Sequence, residues 1–355
     1  MDRKITILGA GSSGMATAAW LTRAGFEITL WDTPEQSEDF EEIRKNGGIR
    51  VTGGSGMNGM IMPAHLSNDL EEALLHTDRI IVCTSASRHR EVAEACAPLV
   101  REGQAFLLAP GNFGSIIFQK VFDAAQKTGV LLAEVCGGFW ACRRTAPGEV
   151  VVTGPLKESV KFAAFPSEKN EEVKQCFDGI LPLAPGTNVF EVSLNSPNVI
   201  SHVCGAVLNV AGIERKGDAY AFFLDGLSTS VIKCFGQLEK ERNTILNKLG
   251  MKVYSETSRP FMEKLMTYDQ YRELDLFRSL DGPSSFEHRY VAEDASCGVA
   301  MLVSLGRQYQ EPMPLTEAML TVASAITDEP YLETGRTLET LGLSELTKEE
   351  LLCAL

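Results

Sequence analysis

The chain has 355 residues, enough for two domains each with its own core. It is 44% hydrophobic and 23% charged, and 33 Lys+Arg against 47 Asp+Glu give a net charge of −14. That balance, with no basic run, argues against nucleic acid and anionic membrane as partners, and no apolar stretch reaches the roughly 20 residues that span a bilayer.

Met1-Asp2-Arg3-Lys4 leads directly into the first expected strand, so no signal peptide is expected. Nine cysteines at irregular spacing fit reduced thiols in a cytoplasm better than a disulfide framework. Cys136 and Cys142 do not match a zinc knuckle and read as core or near-site thiols, and no metal site is expected.

Ile5-Thr6-Ile7-Leu8 predicts a buried strand that ends in Gly9-Ala10-Gly11-Ser12-Ser13-Gly14. A helix follows from Met15 to Arg23, Gly25 closes it, Glu27 to Trp31 is a second strand, and Asp32 stands at its end. This is the strand, glycine turn, helix, strand, acid order of a dinucleotide site. Gly9 permits the tight turn, Gly11 admits a pyrophosphate, Gly14 lets helix and strand pack, and the N–H groups at the helix start, Ser12 and Ser13 included, face the phosphates. Asp32 accepts from ribose hydroxyls and repels a 2′-phosphate, which favours NAD over NADP.

Glu38 to Asn46 then predicts a charged helix, and Gly48 to Pro63 short strands or a hairpin. Asn68 and Asp69 cap a helix through His76. Arg79 to Cys83 is a buried strand followed by Thr84-Ser85, where the ends of such strands meet the cofactor. Glu91 to Val100 is helix, Ala105 to Leu108 strand, Pro110 to Gly114 a loop opening a helix to about Lys127, and Val130 to Val135 strand. The alternation implies a parallel sheet covered on both faces. Trp140 to Arg143, Glu149 to Val152 and Lys161 to Phe165 read as antiparallel additions to it, Asn170 to Leu181 as one amphipathic helix and Val189 to Val192 as a last strand. From Ser196 the pattern is helical. The expected fold is therefore α/β: a Rossmann-type doubly wound domain over 1–195 and an all-helical domain over 196–355, with the active site in the cleft between them.

Of the five histidines, His65 in a polar loop and His76 at a helix end read as solvated surface. His89 lines the cofactor cleft or is a surface residue at a helix start, and His288 is a polar helix position. His202 sits in the helix opening at Ser196-Pro197, whose apolar stripe is Val199, Val203 and Val207, and Asn198 four residues earlier shares its face. That pattern fits a cleft-lining helix and equally a satisfied, partly buried histidine. In Arg289-Tyr290-Val291-Ala292-Glu293-Asp294 an arginine suited to a carboxylate and an aspartate suited to an imidazole stand close together; the plainer reading is a surface ion pair between Arg289 and Glu293.

Four stretches together resemble the opine dehydrogenases, the octopine/nopaline dehydrogenase family: Gly9 to Gly14 with Asp32, Trp140-Ala141-Cys142-Arg143, the Asn195 to His202 helix start, and Arg289 to Asp294. The tail Gly335-Arg336-Thr337-Leu338-Glu339-Thr340-Leu341-Gly342-Leu343 looks especially like the bacterial N-(1-carboxyethyl)-norvaline dehydrogenase branch. The resemblance implies an NADH-dependent reductive condensation of an amino acid amine with a 2-oxo acid such as pyruvate. It assigns His202 and Asp294 as the proton-handling pair, Arg289 to a substrate carboxylate and Asn112 to the 2-oxo-acid loop, and it implies a homodimer; Asn198, on the same helix face as His202, is read as substrate-binding from that spacing. Some relatives carry glutamine at Asn112 and a hydroxyl residue near Gly137-Gly138. Two alternatives stand beside this: a reductase of a 2-oxo or hydroxy acid without an amine, and a protein that binds NAD without chemistry. The first typically uses a lysine on the helix opening the second domain, and no lysine lies between Ser196 and Arg215.

Overall fold

The β-branched runs of the first half become twelve strands in a computed structural model that describes residues 3–265, 282–283, 285–286 and 289–355. In chain order they are β1 (Lys4–Leu8), β2 (Glu27–Trp31), β3 (Ile49–Thr52), β4 (Gly59–Ile61), β5 (His65–Ser67), β6 (Arg79–Val82), β7 (Ala105–Leu108), β8 (Leu131–Val135), β9 (Cys142–Ala146), β10 (Glu149–Val152), β11 (Val160–Ala164) and β12 (Leu183–Pro185). Eight form one sheet in the order β12-β11-β8-β7-β6-β1-β2-β5. From β8 to β5 neighbouring strands are parallel, and β11 joins β8 antiparallel. Ile5, Ile7, Ile28 and Leu30 belong to one core cluster, and Leu8, Trp31, Ile80, Val82, Phe106 and Leu108 to a second. Both faces are thus covered, which is why these strands read as continuous apolar runs.

The antiparallel expectation after Cys136 is corrected in part. Only β11 extends the main sheet; β9 and β10 join β3 and β4 in a separate four-stranded sheet of order β4-β3-β10-β9. Trp140 precedes β9 and is a core residue whose indole Nε1 donates to Thr17 Oγ1 at 3.2 Å. His65 opens a strand and does not sit in a loop. Asp69 caps the helix Leu70–Leu75, while Asn68 donates to the carbonyl oxygens of Asp32 and Thr33. Two expected helices are displaced or short, at His89–Cys96 and Asn170–Cys176.

The chain divides into two compact units, Met1–Val189 and Phe190–Leu355. Val189 to Val192, expected as a strand, lies in the helix Val189–Leu194. Every residue from Val189 to Ser196 is buried, including Glu191, whose carboxylate accepts the Lys252 N–H. Burial on all sides overrides the strand preference of valine and phenylalanine. All regular elements of the second unit among its described residues are helices, with π-helical turns at Phe222–Gly226 and Ala295–Val299. His288 and the part of the Tyr254 to Tyr271 stretch beyond residue 265 lie outside the described residues. No helix among the described residues is long and apolar enough to cross a membrane.

Candidate active site

The first unit builds a glycine turn from the end of β1. Gly9 has φ of 104°, and a Cβ there would press on Thr84 N at 2.9 Å, so turn and neighbouring strand both require glycine. A Cβ at Gly14 would overlap the Gly9 carbonyl oxygen, which fixes how closely the helix Ser12–Arg23 packs on the strand. Gly11 is different: nothing lies within 4 Å of where its Cβ would be. It is also the N-cap and supplies no side-chain acceptor, so the first-turn N–H groups are left for an anion. The Ser12 hydroxyl accepts the Arg144 N–H at 2.9 Å, tying the helix start to β9. Ser13 is half-buried, and its hydroxyl makes no hydrogen bond among the described residues.

Asp32 is buried and anchored by two backbone donors, Ala10 N–H to Oδ2 at 2.6 Å and Thr33 N–H to Oδ1 at 2.8 Å. Burial raises its carboxyl above the ordinary value, while those two N–H groups and Arg88 pull the other way. The acid expected to meet a ribose therefore also ties the glycine turn to the end of β2. Thr84 is buried, and its hydroxyl makes no hydrogen bond among the described residues. Ser85 is half-buried, with its hydroxyl 3.1 Å from that of Ser87. An open Gly11, an uncapped helix start and an unsatisfied Thr84 hydroxyl fit a dinucleotide at this turn.

Asn112 lies in a loop that the buried Glu134 carboxylate organises. Glu134 Oε1 accepts Phe113 N–H at 2.9 Å, and Oε2 accepts Ser115 N–H at 3.0 Å and Ser115 Oγ–H at 2.7 Å. Asn112 and Phe113 have φ of 50° and 64°, a conformation costly for side-chain-bearing residues. Glu134 was missed in the sequence because an acid inside an apolar strand gives no sign of its partner. His89 is fully buried and edge-on to Phe118 at 6.0 Å, which overturns its surface reading.

The second unit brings His202 and Asp294 together across 92 residues of sequence. Pro197 opens the helix Pro197–Leu208 at its first turn, and Val199, Val203 and Val207 are buried as the stripe requires. His202 is 7% exposed, and its Nδ1 lies 2.7 Å from Asp294 Oδ2. With Nδ1 engaged by the Asp294 carboxyl, Nε2 is the ring nitrogen left to face other groups. Tyr290 stacks on the imidazole, with ring centroids 3.6 Å apart and planes within 11°. Tyr290 stood inside a quoted run but carried no role in the sequence.

Arg289 is exposed at the start of the helix Arg289–Asp294, whereas Glu293 is only 4% exposed, so Glu293 is not a surface residue. Asn198 is half-buried one turn before His202. Burial raises the nearby Cys297 thiol, with Arg336 opposing and Glu293 and Asp294 adding to the rise. Arg336 is itself buried, a second cation in this acidic neighbourhood that the sequence showed only as part of a tail.

Comparison with known proteins agrees with both halves. Residues 185–327 match the family model for the alpha-helical domain of NAD/NADP octopine/nopaline dehydrogenase, and residues 5–167 that of ketopantoate reductase PanE/ApbA. The chain is 30% identical over 354 residues to an opine dehydrogenase of Arthrobacter sp. (strain 1C), covering 98% of this chain and 97% of that one. It is 22% identical to a D-nopaline dehydrogenase of Agrobacterium vitis, covering 90% and 85%. Among solved structures, octopine dehydrogenase with NADH and pyruvate has the same fold, with TM-score 0.70 at 16% identity over 97% and 96% of the chains. The chain belongs to the opine dehydrogenase family and is an NAD(P)-dependent oxidoreductase.

Proposed function

We propose that the protein condenses the amine of an amino acid with a pyruvate-like 2-oxo acid and reduces the resulting imine to a secondary-amine dicarboxylate, using NADH in preference to NADPH. The observation that carries this reading is His202 Nδ1 held 2.7 Å from Asp294 Oδ2, in the unit that matches the family's helical domain. Relatives named for opine and nopaline chemistry, and a structural neighbour holding NADH and pyruvate, support the substrate classes.

Balanced, one amine and one ketone lose one water to form the imine, and one hydride with one proton completes the secondary amine. The bound nicotinamide supplies the hydride. His202, oriented by Asp294, removes a proton from the substrate ammonium so that its nitrogen can attack. It then returns a proton to the departing oxygen as water leaves. Arg289 binds a substrate carboxylate through parallel hydrogen bonds, and the Asn112 loop, braced by Glu134, and Asn198 position the 2-oxo acid. Asp32 favours NAD by disfavouring a 2′-phosphate at its carboxylate. We place the reaction in the cytoplasm and the active form as a homodimer, from cysteine usage and family resemblance.

An NADH-oxidation screen of pyruvate and glyoxylate against all amino acids, with product masses confirmed, tests this reading. NADH consumption dependent on both substrates, with the mass of the secondary amine, is expected. Equal consumption without any amine would assign a plain 2-oxo-acid reductase, and tight NAD binding with no turnover a non-catalytic protein.

A further inference from the structure

Three side chains of the first unit converge at the end of the sheet opposite the glycine turn. Glu27 opens β2 and His65 opens β5; Thr29 pairs with His65 in register, so Glu27, Thr29 and His65 share one face of the sheet. His76 is the C-cap of the helix Leu70–Leu75. Glu27 Oε1 lies 3.5 Å from His65 Nε2 and 3.7 Å from His76 Nε2, and one donor atom from each residue falls within 4.8 Å of the others. The two imidazoles meet edge to face with centroids 5.2 Å apart.

His76 gives the second observation. Its side chain is only 11% exposed, and Nε2 is shielded from solvent and makes no hydrogen bond among the described residues. A buried polar atom left so is costly and calls for a partner. His65 and His76 line an open hollow of about 450 Å³ whose other walls include Asp69, Glu71 and Glu72.

We propose that Glu27, His65 and His76 bind one divalent metal ion of the Zn²⁺ class, with the remaining coordination position open to the hollow. Two imidazoles and one carboxylate suit Zn²⁺, Ni²⁺ or Cu²⁺, and not the all-oxygen preference of Ca²⁺ or Mg²⁺. Ligand atoms about 2.0–2.1 Å from a tetrahedral ion stand about 3.3 Å from one another. Separations of 3.5 and 3.7 Å therefore close with small side-chain movements, and Glu27 and His65 are exposed enough to make them. The present cation is Lys4, with Nζ 3.9 Å from Glu27 Oε1 and both side chains 44% exposed. An exposed pair of that kind contributes little, and a dication gaining two imidazoles displaces it.

The ion would pin β2, β5 and a helix end to one another. Five residues of strand at about 3.3 Å each separate Glu27 from Asp32, so its effect falls on the stability of the domain and not on the reacting atoms.

The test titrates Zn²⁺ alone into the full-length metal-stripped protein by calorimetry and compares wild type with His65→Gln and His76→Gln. Wild type is expected to bind one more equivalent than either variant, or to bind it at least about 10- to 100-fold more tightly, the range lost even when outer-shell partners of a metal are removed. Zn²⁺ should raise the melting temperature of wild type and not of His65→Gln. Thiol binding is common to all three proteins and cancels in the comparison. His65 is half-exposed, so His65→Gln is expected to keep wild-type NADH turnover and decides the matter if His76→Gln folds poorly. Equal stoichiometry and affinity in wild type and His65→Gln, or no saturable Zn²⁺ binding by wild type, would overturn the site.

Discussion

His202 and Asp294 form a buried polar pair whose halves lose their purpose separately. Asp294→Asn keeps the shape but replaces the carboxyl that meets His202 Nδ1 by an amide, one end of which donates, so a single imidazole tautomer is no longer selected. Loss of proton transfer typically lowers turnover by about 10²–10⁴-fold, and that range is expected in kcat for both Asp294→Asn and His202→Asn. Steady-state kinetics on the condensation reaction checks it, and unchanged kcat in His202→Asn would remove the histidine from the mechanism. Arg289→Ala should act through KM. Losing a charged hydrogen-bond donor of about 1.5–3 kcal/mol predicts a rise of roughly 10- to 100-fold in KM for one substrate acid, with a smaller change for NADH.

At the same scale Asp32 predicts a pH dependence. Its carboxyl is raised chiefly by burial, so its surroundings favour the neutral form more than water does. The stability this contributes is complete below the unfolded value and is lost as pH rises through the folded one. Cofactor binding runs the opposite way, because only the ionised carboxylate accepts from both ribose hydroxyls. KM for NADH should therefore begin to climb, as pH falls, above the range of an ordinary aspartate, and Asp32→Asn should flatten that limb. A wild-type profile flat to the ordinary range would contradict it.

At the scale of elements, the loop that opens the helix Gly114–Ala124 depends on a carboxylate from β8. Glu134→Gln keeps one acceptor oxygen and turns the other into a donor facing Ser115 N–H. An unmatched buried polar pair costs about 1–3 kcal/mol, which a denaturant titration measures, and KM for the 2-oxo acid should rise with it. An unaltered KM with lowered stability would leave Glu134 a purely structural residue. Elements were legible where local pattern and burial agree: β1, β2, β6 and β7 are short apolar runs bounded by turns, and all are strands of the main sheet. They were illegible where burial is two-sided and short, as at Val189–Leu194, because six residues whose polar members Glu191 and Ser193 are buried with the apolar ones show no exposed face whose period could separate helix from strand. β9 and β10 are antiparallel to each other but do not join the main sheet as expected: β10 pairs in parallel with β3, about a hundred residues earlier, and pairing at that distance leaves no local trace.

At the scale of the whole molecule, each unit carries its own chemistry: the nucleotide turn in Met1–Val189 and the histidine–aspartate pair in Phe190–Leu355. A ligand that binds only the folded first unit should stabilise it by mass action, by about 2.7 kcal/mol at a hundredfold excess over Kd. NADH should accordingly raise the unfolding temperature, and Gly11→Val, which fills the open approach to the turn, should abolish the shift. The same rise in Gly11→Val as in wild type would move the cofactor elsewhere. The sequence by itself determined the fold class, the nucleotide turn and the family, because spacing among neighbouring residues is enough to specify a strand, a glycine turn and a helix start. Only the tertiary structure decided that His202 is held by Asp294 and stacked on Tyr290, that Glu134 braces the Asn112 loop, and that Glu27, His65 and His76 meet at one end of the sheet. Those contacts join residues 11 to 92 positions apart, and side chains so separated meet only when packing of the intervening elements brings them together.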